Sequence, residues 1–336
     1  VARIVAIADL HIDYSRRFKD TLNVMKQILD FAILKKANYL MIAGDIYQYK
    51  RPRNVERHAF ETWVLRFVEN KIKVVMIPGL KGKHDFDKNI SVVDEFNNLN
   101  IRGVQVLNNG DVFITRDNIR VKLWHILVRE AKLGALGYSL ASAQNLSIQA
   151  ILTTNRGISG DDADIFLLGH IHKAQILNRD PFMCYLGSID HIDFAERNEH
   201  KYLLYMDITK DKDNIVHNNY KFYHLKTRPM IQFDIHTIEE LENVDIDKVN
   251  EAIVKVVFHC KREDKDKFDW ELIQQKFNGA YTYTVHYDYI KLKRTRNRNI
   301  NERISPAQAF LQYGREKKLE RDVIKRGLEI IEGKNA

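Results

Sequence analysis

Arg3-Ile4-Val5-Ala6-Ile7-Ala8-Asp9-Leu10-His11 is an apolar, β-branched run that stops on a carboxylate and an imidazole. A short run of this kind, without polar alternation, reads as a strand buried on both faces. The pattern recurs along the first two hundred residues. Asn38 to Ala43 leads into Gly44-Asp45, and Lys73 to Ile77 leads toward Gly82-Lys83-His84-Asp85. Gln149 to Thr154 ends at Asn155, and Asp164 to Leu168 ends in Gly169-His170-Ile171-His172. Between the first two runs, Phe18, Leu22, Met25, Ile28, Leu29 and Ala32 fall at the three-and-four spacing of one helix face. A second helix is expected after Pro52, with Phe60, Trp63, Val64, Phe67 and Val68 on its apolar side. Strands alternating with amphipathic helices define an α/β domain with helices packed on sheet. In such a sheet the carboxyl ends of the strands share one crevice, so Asp9, His11, Asp45, His84, His170 and His172 can face a common site. Carboxylate and imidazole together suit manganese, magnesium, iron or zinc.

Working outward, the chain has 336 residues, which at about 150 per domain implies roughly two domains. Hydrophobic residues at 45% and charged residues at 29% match a globular protein and exclude a disordered or fibrous one. No apolar run reaches the roughly 18 residues of a membrane helix, and the opening residues read as a strand rather than a signal peptide. A soluble, cytoplasmic protein is expected. The two cysteines, Cys184 and Cys260, lie in no zinc-like or redox spacing. Lysine and arginine exceed the acids by 53 to 45, a net +8 that favours an anionic partner such as nucleic acid.

From Gly103 to Trp124 and from Lys173 to Thr227, short alternating runs predict further strands and hairpins. A second module is expected to begin near Pro229. It would have strands at Met230 to His236, Ile253 to His259 and Tyr281 to Leu292, and a helix at Trp270 to Phe277. Ser305-Pro306-Ala307-Gln308 carries serine at an N-cap, proline at the first helical position and glutamine at the third. Two short terminal helices should follow.

In their order, D-x-H, G-D, G-x-H-D and G-H-x-H resemble the signature of the calcineurin-like metallophosphoesterase superfamily. The block from Ala163 to Ile176, followed by Tyr185-Leu186-Gly187-Ser188-Ile189, is similar to one branch of it. That branch is the SbcD-type DNA repair nuclease, a double-strand-break repair family with bacterial and phage members. The likeness covers about residues 3 to 208. It implies a layered β-sandwich flanked by helices over residues 1–228, an α+β DNA-capping domain over 229–300, and a helical partner-binding segment over 301–336. It further implies that Asp9, His11, Asp45 and His172 hold one metal. Asp45 would bridge to a second metal held also by His170, with Asn155 at the next ligand position. His84 would stand beside the scissile phosphate, with Asp85 next to it in the catalytic loop. Two manganese ions are the expected cofactor, with magnesium as the other candidate.

Two departures fall on the second metal. Where the family places asparagine, this chain has Lys83, whose ammonium has no lone pair to give. Where the family places a histidine after a buried strand, this chain has Asn155, a weaker donor. A second site depleted of ligands is therefore expected.

Arg51 and Arg53, with Lys50, form a basic cluster after the Asp45 loop, and Lys291, Lys293, Arg294 and Arg296 follow a tyrosine-rich strand. Both groups are candidate DNA contacts; solvated loops are the other reading, and the tyrosines serve equally as a core face. The resemblance implies that the terminal helices grip an SbcC-type coiled-coil ATPase, against simple packing onto the capping domain. It also implies that helices after Pro52 and around Ser91 to Asn97 form a homodimer, with ordinary core as the other reading of their apolar faces. The functional expectation is a metal-dependent exonuclease and endonuclease at DNA ends. Its competitors are a non-catalytic DNA-end-binding scaffold and a small-molecule phosphoesterase.

Overall fold

A computed structural model describes residues 1–80, 84–87, 90–125, 163–290 and 305–333. Two stacked sheets form the first part of the chain. The larger contains β1 (Ala2–Ile7), β2 (Tyr39–Ala43), β3 (Lys73–Ile77), β6 (Val104–Val106), β12 (Tyr202–Lys210) and β13 (Val216–His224), in the order β13-β12-β1-β2-β3-β6. From β1 to β6 the pairing is parallel, and β12 and β13 add an antiparallel edge. The second sheet contains β7 (Val112–Ile114), β8 (Arg120–His125), β9 (Ile165–Gly169), β10 (Gln175–Arg179) and β11 (Phe182–Tyr185), in the order β10-β11-β9-β8-β7. A small hairpin of β4 (Phe86–Asp87) and β5 (Ile90–Ser91) follows the third strand.

The two-residue period of a strand explains the layering. Val5, Ile7, Leu40 and Ile42 point to one side and join α1 (Phe18–Leu34) and α2 (Asn54–Glu69) in one core. Ile4, Ala6, Ala8, Tyr39, Met41 and Ala43 point to the other and meet Val121, Leu123, Ile165 and Leu167 between the sheets. A strand with a core on each face has no place for alternating polar residues, hence the continuous apolar runs. Among the described residues the order of layers is helix, sheet, sheet.

A third sheet, with all strands parallel, contains β14 (Met230–Ile235), β15 (Ile253–Cys260) and β16 (Thr282–Tyr289). It has its own apolar cluster with α4 (Ile238–Glu242), α5 (Ile246–Val249) and α6 (Trp270–Phe277). Tyr283, Val285 and Tyr287 pack on that cluster, so these positions of the tyrosine face belong to a core. Arg228 fastens this unit to the first: its guanidinium grips Asp20 of α1 and Glu251 and lies 3.9 Å over the Tyr281 ring. The short α3 (Glu95–Asn98) packs beside β6. At the end of the chain, Ser305 caps α7 (Pro306–Glu316) with the reciprocal Gln308 bond that its sequence predicts. α8 (Arg321–Ile331) folds back on α7, with Phe310 against Gly327 and Ile324 against Gly314. Tyr313, Val323, Ile330 and Ile331 stay exposed. No helix among the described residues is long and apolar enough to cross a membrane.

Candidate metal centre

The loops after β1 and β2 run side by side, with Asp9 N–H donating to Gly44 O, His11 N–H to Asp45 O and Ile12 N–H to Ile46 O. This ladder carries Asp9, His11 and Asp45 past the ends of their strands into one buried pocket. From the second sheet, β8 and β9 run parallel and pair His125 with Gly169, which places His125 beside His170. Asp9, His11, Asp45, Asp85 and His170 all have positive φ, between 45° and 91°. Left-handed backbone is uncommon for residues with a side chain and concentrates where geometry serves a site.

Three overlapping donor sets result: Asp9 with His11 and His172, His11 with Asp45 and His84, and Asp45 with His125 and His170. Within each, one donor atom per residue lies within 4.8 Å of the others. His11 Nε2 and His172 Nε2 stand 3.1 Å apart. Asp45 Oδ2 is 3.8 Å from His11 Nε2, 3.8 Å from His84 Nε2 and 3.2 Å from His125 Nε2. Asp45 Oδ1 is buried with no hydrogen-bond partner. Asp9 accepts the His170 N–H on both carboxylate oxygens.

The outer nitrogens fix the rings. His84 Nδ1 lies 2.6 Å from Gln48 O, His125 Nδ1 2.9 Å from Ala43 O, and His172 Nδ1 2.7 Å from Glu196 Oε1. With a proton on each Nδ1 donated outward, the three Nε2 lone pairs face the pocket, the usual arrangement of metal-binding histidines. These nitrogens and carboxylates fit a pair of divalent cations.

The electrostatics carry the same signature. Burial pushes the Asp9 carboxyl up to about 7, with Asp45 adding to the rise. Burial depresses His11 to about 3. Burial works against the His125 imidazolium as well, yet Asp45 and Asp9 outweigh it and raise His125 to about 9. Burial also works against the Asp45 carboxylate, but His125, His11 and His84 together hold it below the ordinary range. Asp45 and Asp9 thus favour positive charge beside His125.

His125 was missed in the sequence. Its signal was the alternation of β8, where Val121, Leu123 and His125 share the buried face, and it supplies a histidine donor beside Asp45 and His170. Asn155 and Lys83 lie outside the described residues, as do Lys291, Lys293, Arg294 and Arg296. The expected depletion of the second site rests on Asn155 and Lys83, while Asp45, His125 and His170 form a donor set of their own. Asp85, expected to be catalytic, is fully buried. Its carboxylate accepts the backbone N–H groups of Ile46, Tyr47 and Gly79, so it ties the second and third strand-end loops together. Burial raises its pKa to about 6 against those three bonds. Arg51 pairs with Asp87 at 2.8 Å on the surface, and the Arg53 guanidinium lies over Tyr14.

Sequence reasoning also missed the support behind His172. Glu196 accepts from His172 on one oxygen and from Lys201 Nζ, 2.6 Å away, on the other. Lys201 is 1% exposed and also donates to Ser188 Oγ and the His172 carbonyl.

The close approach of the two sheets makes Gly169 obligatory. A Cβ there would lie 1.9 Å from Ala43 O and 2.7 Å from His125 Nδ1. Gly169→Ala should therefore cost about 1–3 kcal/mol through forced backbone movement and displace His125. Thermal melting checks this: an unchanged midpoint would mean that the strands part freely.

A family model described as calcineurin-like phosphoesterase matches residues 2–174. The DNA double-strand break repair protein Mre11 of Archaeoglobus fulgidus is 23% identical over 335 aligned positions, spanning 86% of this chain and 73% of that protein. Similar solved structures include Vps29 of Chaetomium thermophilum, 13% identical with a TM-score of 0.31, covering 68% of this chain and 100% of that one. Nuclease MPE of Pseudomonas putida is 16% identical with a TM-score of 0.32, covering 60% of this chain and 84% of that one.

Proposed function

The chain belongs to the calcineurin-like phosphoesterase family, and from that premise we propose that it is a metal-dependent nuclease hydrolysing phosphodiester bonds at DNA ends. The observation that carries the reading is the set of three imidazoles, His84, His125 and His172, each anchored outward through Nδ1 and turned inward through Nε2 around Asp45. Asp9, His11, Asp45 and His172 would hold one divalent ion, and Asp45, His125 and His170 a second. Manganese is the ion proposed, with magnesium as the substitute. Two such ions supply positive charge against the scissile phosphate and make water a stronger acid at neutral pH.

The protein's own groups do the rest. His84 is 24% exposed on its side chain, so it stands at the mouth of the pocket. Its Nδ1 is held by the Gln48 carbonyl, which turns Nε2 toward the place of the leaving oxygen, where it would exchange a proton. Asp85 keeps the Asp45 and His84 loops in register. Arg51 and Arg53 follow the Asp45 loop and would meet the DNA backbone.

DNA as the substrate is supported by the likeness to the Archaeoglobus protein and by the net charge of +8. The exposed apolar residues of α7 and α8 support docking on an SbcC-type coiled-coil ATPase, in an SbcCD-like complex that would be dimeric in this subunit.

The test is digestion of end-labelled linear duplex DNA with manganese, with magnesium and with chelator, with and without such an ATPase. Manganese-dependent cleavage is expected, and His84→Ala should slow it by roughly 10²- to 10⁴-fold while manganese still binds. A chain that binds two manganese ions and leaves DNA intact under every condition would be a scaffold rather than a nuclease.

A further inference from the structure

The opposite end of the central sheet carries a second polar cavity, of about 260 Å³, whose lining includes Val1, Lys71, Lys73, Arg116 and Asp117. β2 and β3 begin here, and their carboxyl ends form the metal centre, so the two sites lie about 17 Å apart at 3.3 Å per strand residue. Lys71 comes from the turn before β3, Lys73 from its first residue and Arg116 from the turn between β7 and β8. Three elements therefore bring three cations to one concavity.

Their charge is only partly offset. Among the described residues none of the three cations forms an ion pair. Asp117 is the one carboxylate among the lining residues, against three cations. Lys73 Nζ has a neutral partner, Gln105 Oε1 at 2.8 Å, and sits 4.7 Å over the Phe113 ring. Burial, with Arg116 close by, holds the Lys73 ammonium below its ordinary pKa. Like charges held together in a partly desolvated cavity are costly unless an anion joins them.

We propose that this cavity is a binding site for a phosphate group, clasped by Lys71, Lys73 and Arg116, and separate from the metal centre. A guanidinium and two ammonium groups in the lining of one cavity match the several oxygens of one phosphate. The concave form favours a small ligand over a DNA backbone, which would need a strip of cations. Two sources share the chemistry, free orthophosphate and the phosphate of a nucleoside monophosphate.

The experiment is equilibrium dialysis of the full chain, in chelator so that the metal centre recruits nothing, against labelled orthophosphate or thymidine 5′-monophosphate. Saturable binding is expected, weakened by about tenfold or more in Lys73→Gln/Arg116→Gln, as loss of charge-assisted hydrogen bonds requires. Lys71→Gln/Arg116→Gln, altering two exposed residues, carries the test should the half-buried Lys73 be needed for folding. Tighter binding of the nucleotide than of orthophosphate would assign the cavity to the mononucleotide, and equal binding to the phosphate alone. The proposal is overturned if neither ligand binds, if both variants bind as the parent does, or if only a duplex oligonucleotide responds to the substitutions. Manganese-dependent DNA cleavage should persist in both variants, so failure here leaves the nuclease reading untouched.

Discussion

Asp45→Ala is expected to remove about 4 kcal/mol or more of transition-state stabilisation, roughly a thousandfold in hydrolysis rate. Asp45 belongs to two of the three donor sets, and its Oδ2 faces His11, His84 and His125 together. Removing it takes a ligand from both proposed ions and leaves His125 with Asp9 as its remaining counter-charge, 3.7 Å away. Calorimetric manganese titration should show a loss of bound ion, and hydrolysis of a small phosphodiester should fall with it. Parent-like manganese stoichiometry in Asp45→Ala would rule out a shared carboxylate.

Lys201→Met should be the most destabilising single change outside the pocket. The ammonium is buried and satisfied by Glu196, Glu199, Ser188 and the His172 carbonyl. Methionine fills the space but leaves Glu196 without its cation, and breaking a buried pair from one side costs about 3–5 kcal/mol. A drop in melting temperature on the order of 10 °C follows for a chain of this size. His172 would lose its fixed orientation, so manganese affinity should fall about 10- to 100-fold. Parent-like melting and parent-like affinity together would refute the role given to Lys201. The same network sets an acid limit. Burial raises the Glu196 carboxyl, but its bonds to His172 and Lys201 prevail and bring it down to about 2, from an ordinary value of 4.5. Its stabilising contribution is therefore complete above about pH 4.5 and is lost as the pH falls toward 2.

The strand-end residues Asp9, His11, Asp45, His170 and His172 were legible because a run buried on both faces leaves no polar residue except at its end. The helix face of α1 and the cap at Ser305 were legible for equally local reasons. His125 was not, because β8 alternates with half-exposed Arg120, Lys122 and Trp124, so its last buried position looks like any other inward residue. Glu196 and Lys201 carry no local pattern at all. Their meaning comes from a carboxylate that meets His172 across 24 residues of chain. For Asp85, sequence placed the residue beside His84 but could not tell an oxygen aimed at substrate from one satisfied by three backbone amides.

His11 meets His172, and Asp9 meets the His170 amide, each across 161 residues of chain. The pocket therefore has no local precursor. A growing or partly refolded chain that has paired β1 with β2 owns Asp9, His11 and Asp45, but lacks every donor from the second sheet. Closing loops of that length comes late in folding. The donor set is thus complete only once the second sheet is in place, and tight ion uptake during refolding would serve as a clock for the docking of one sheet on the other.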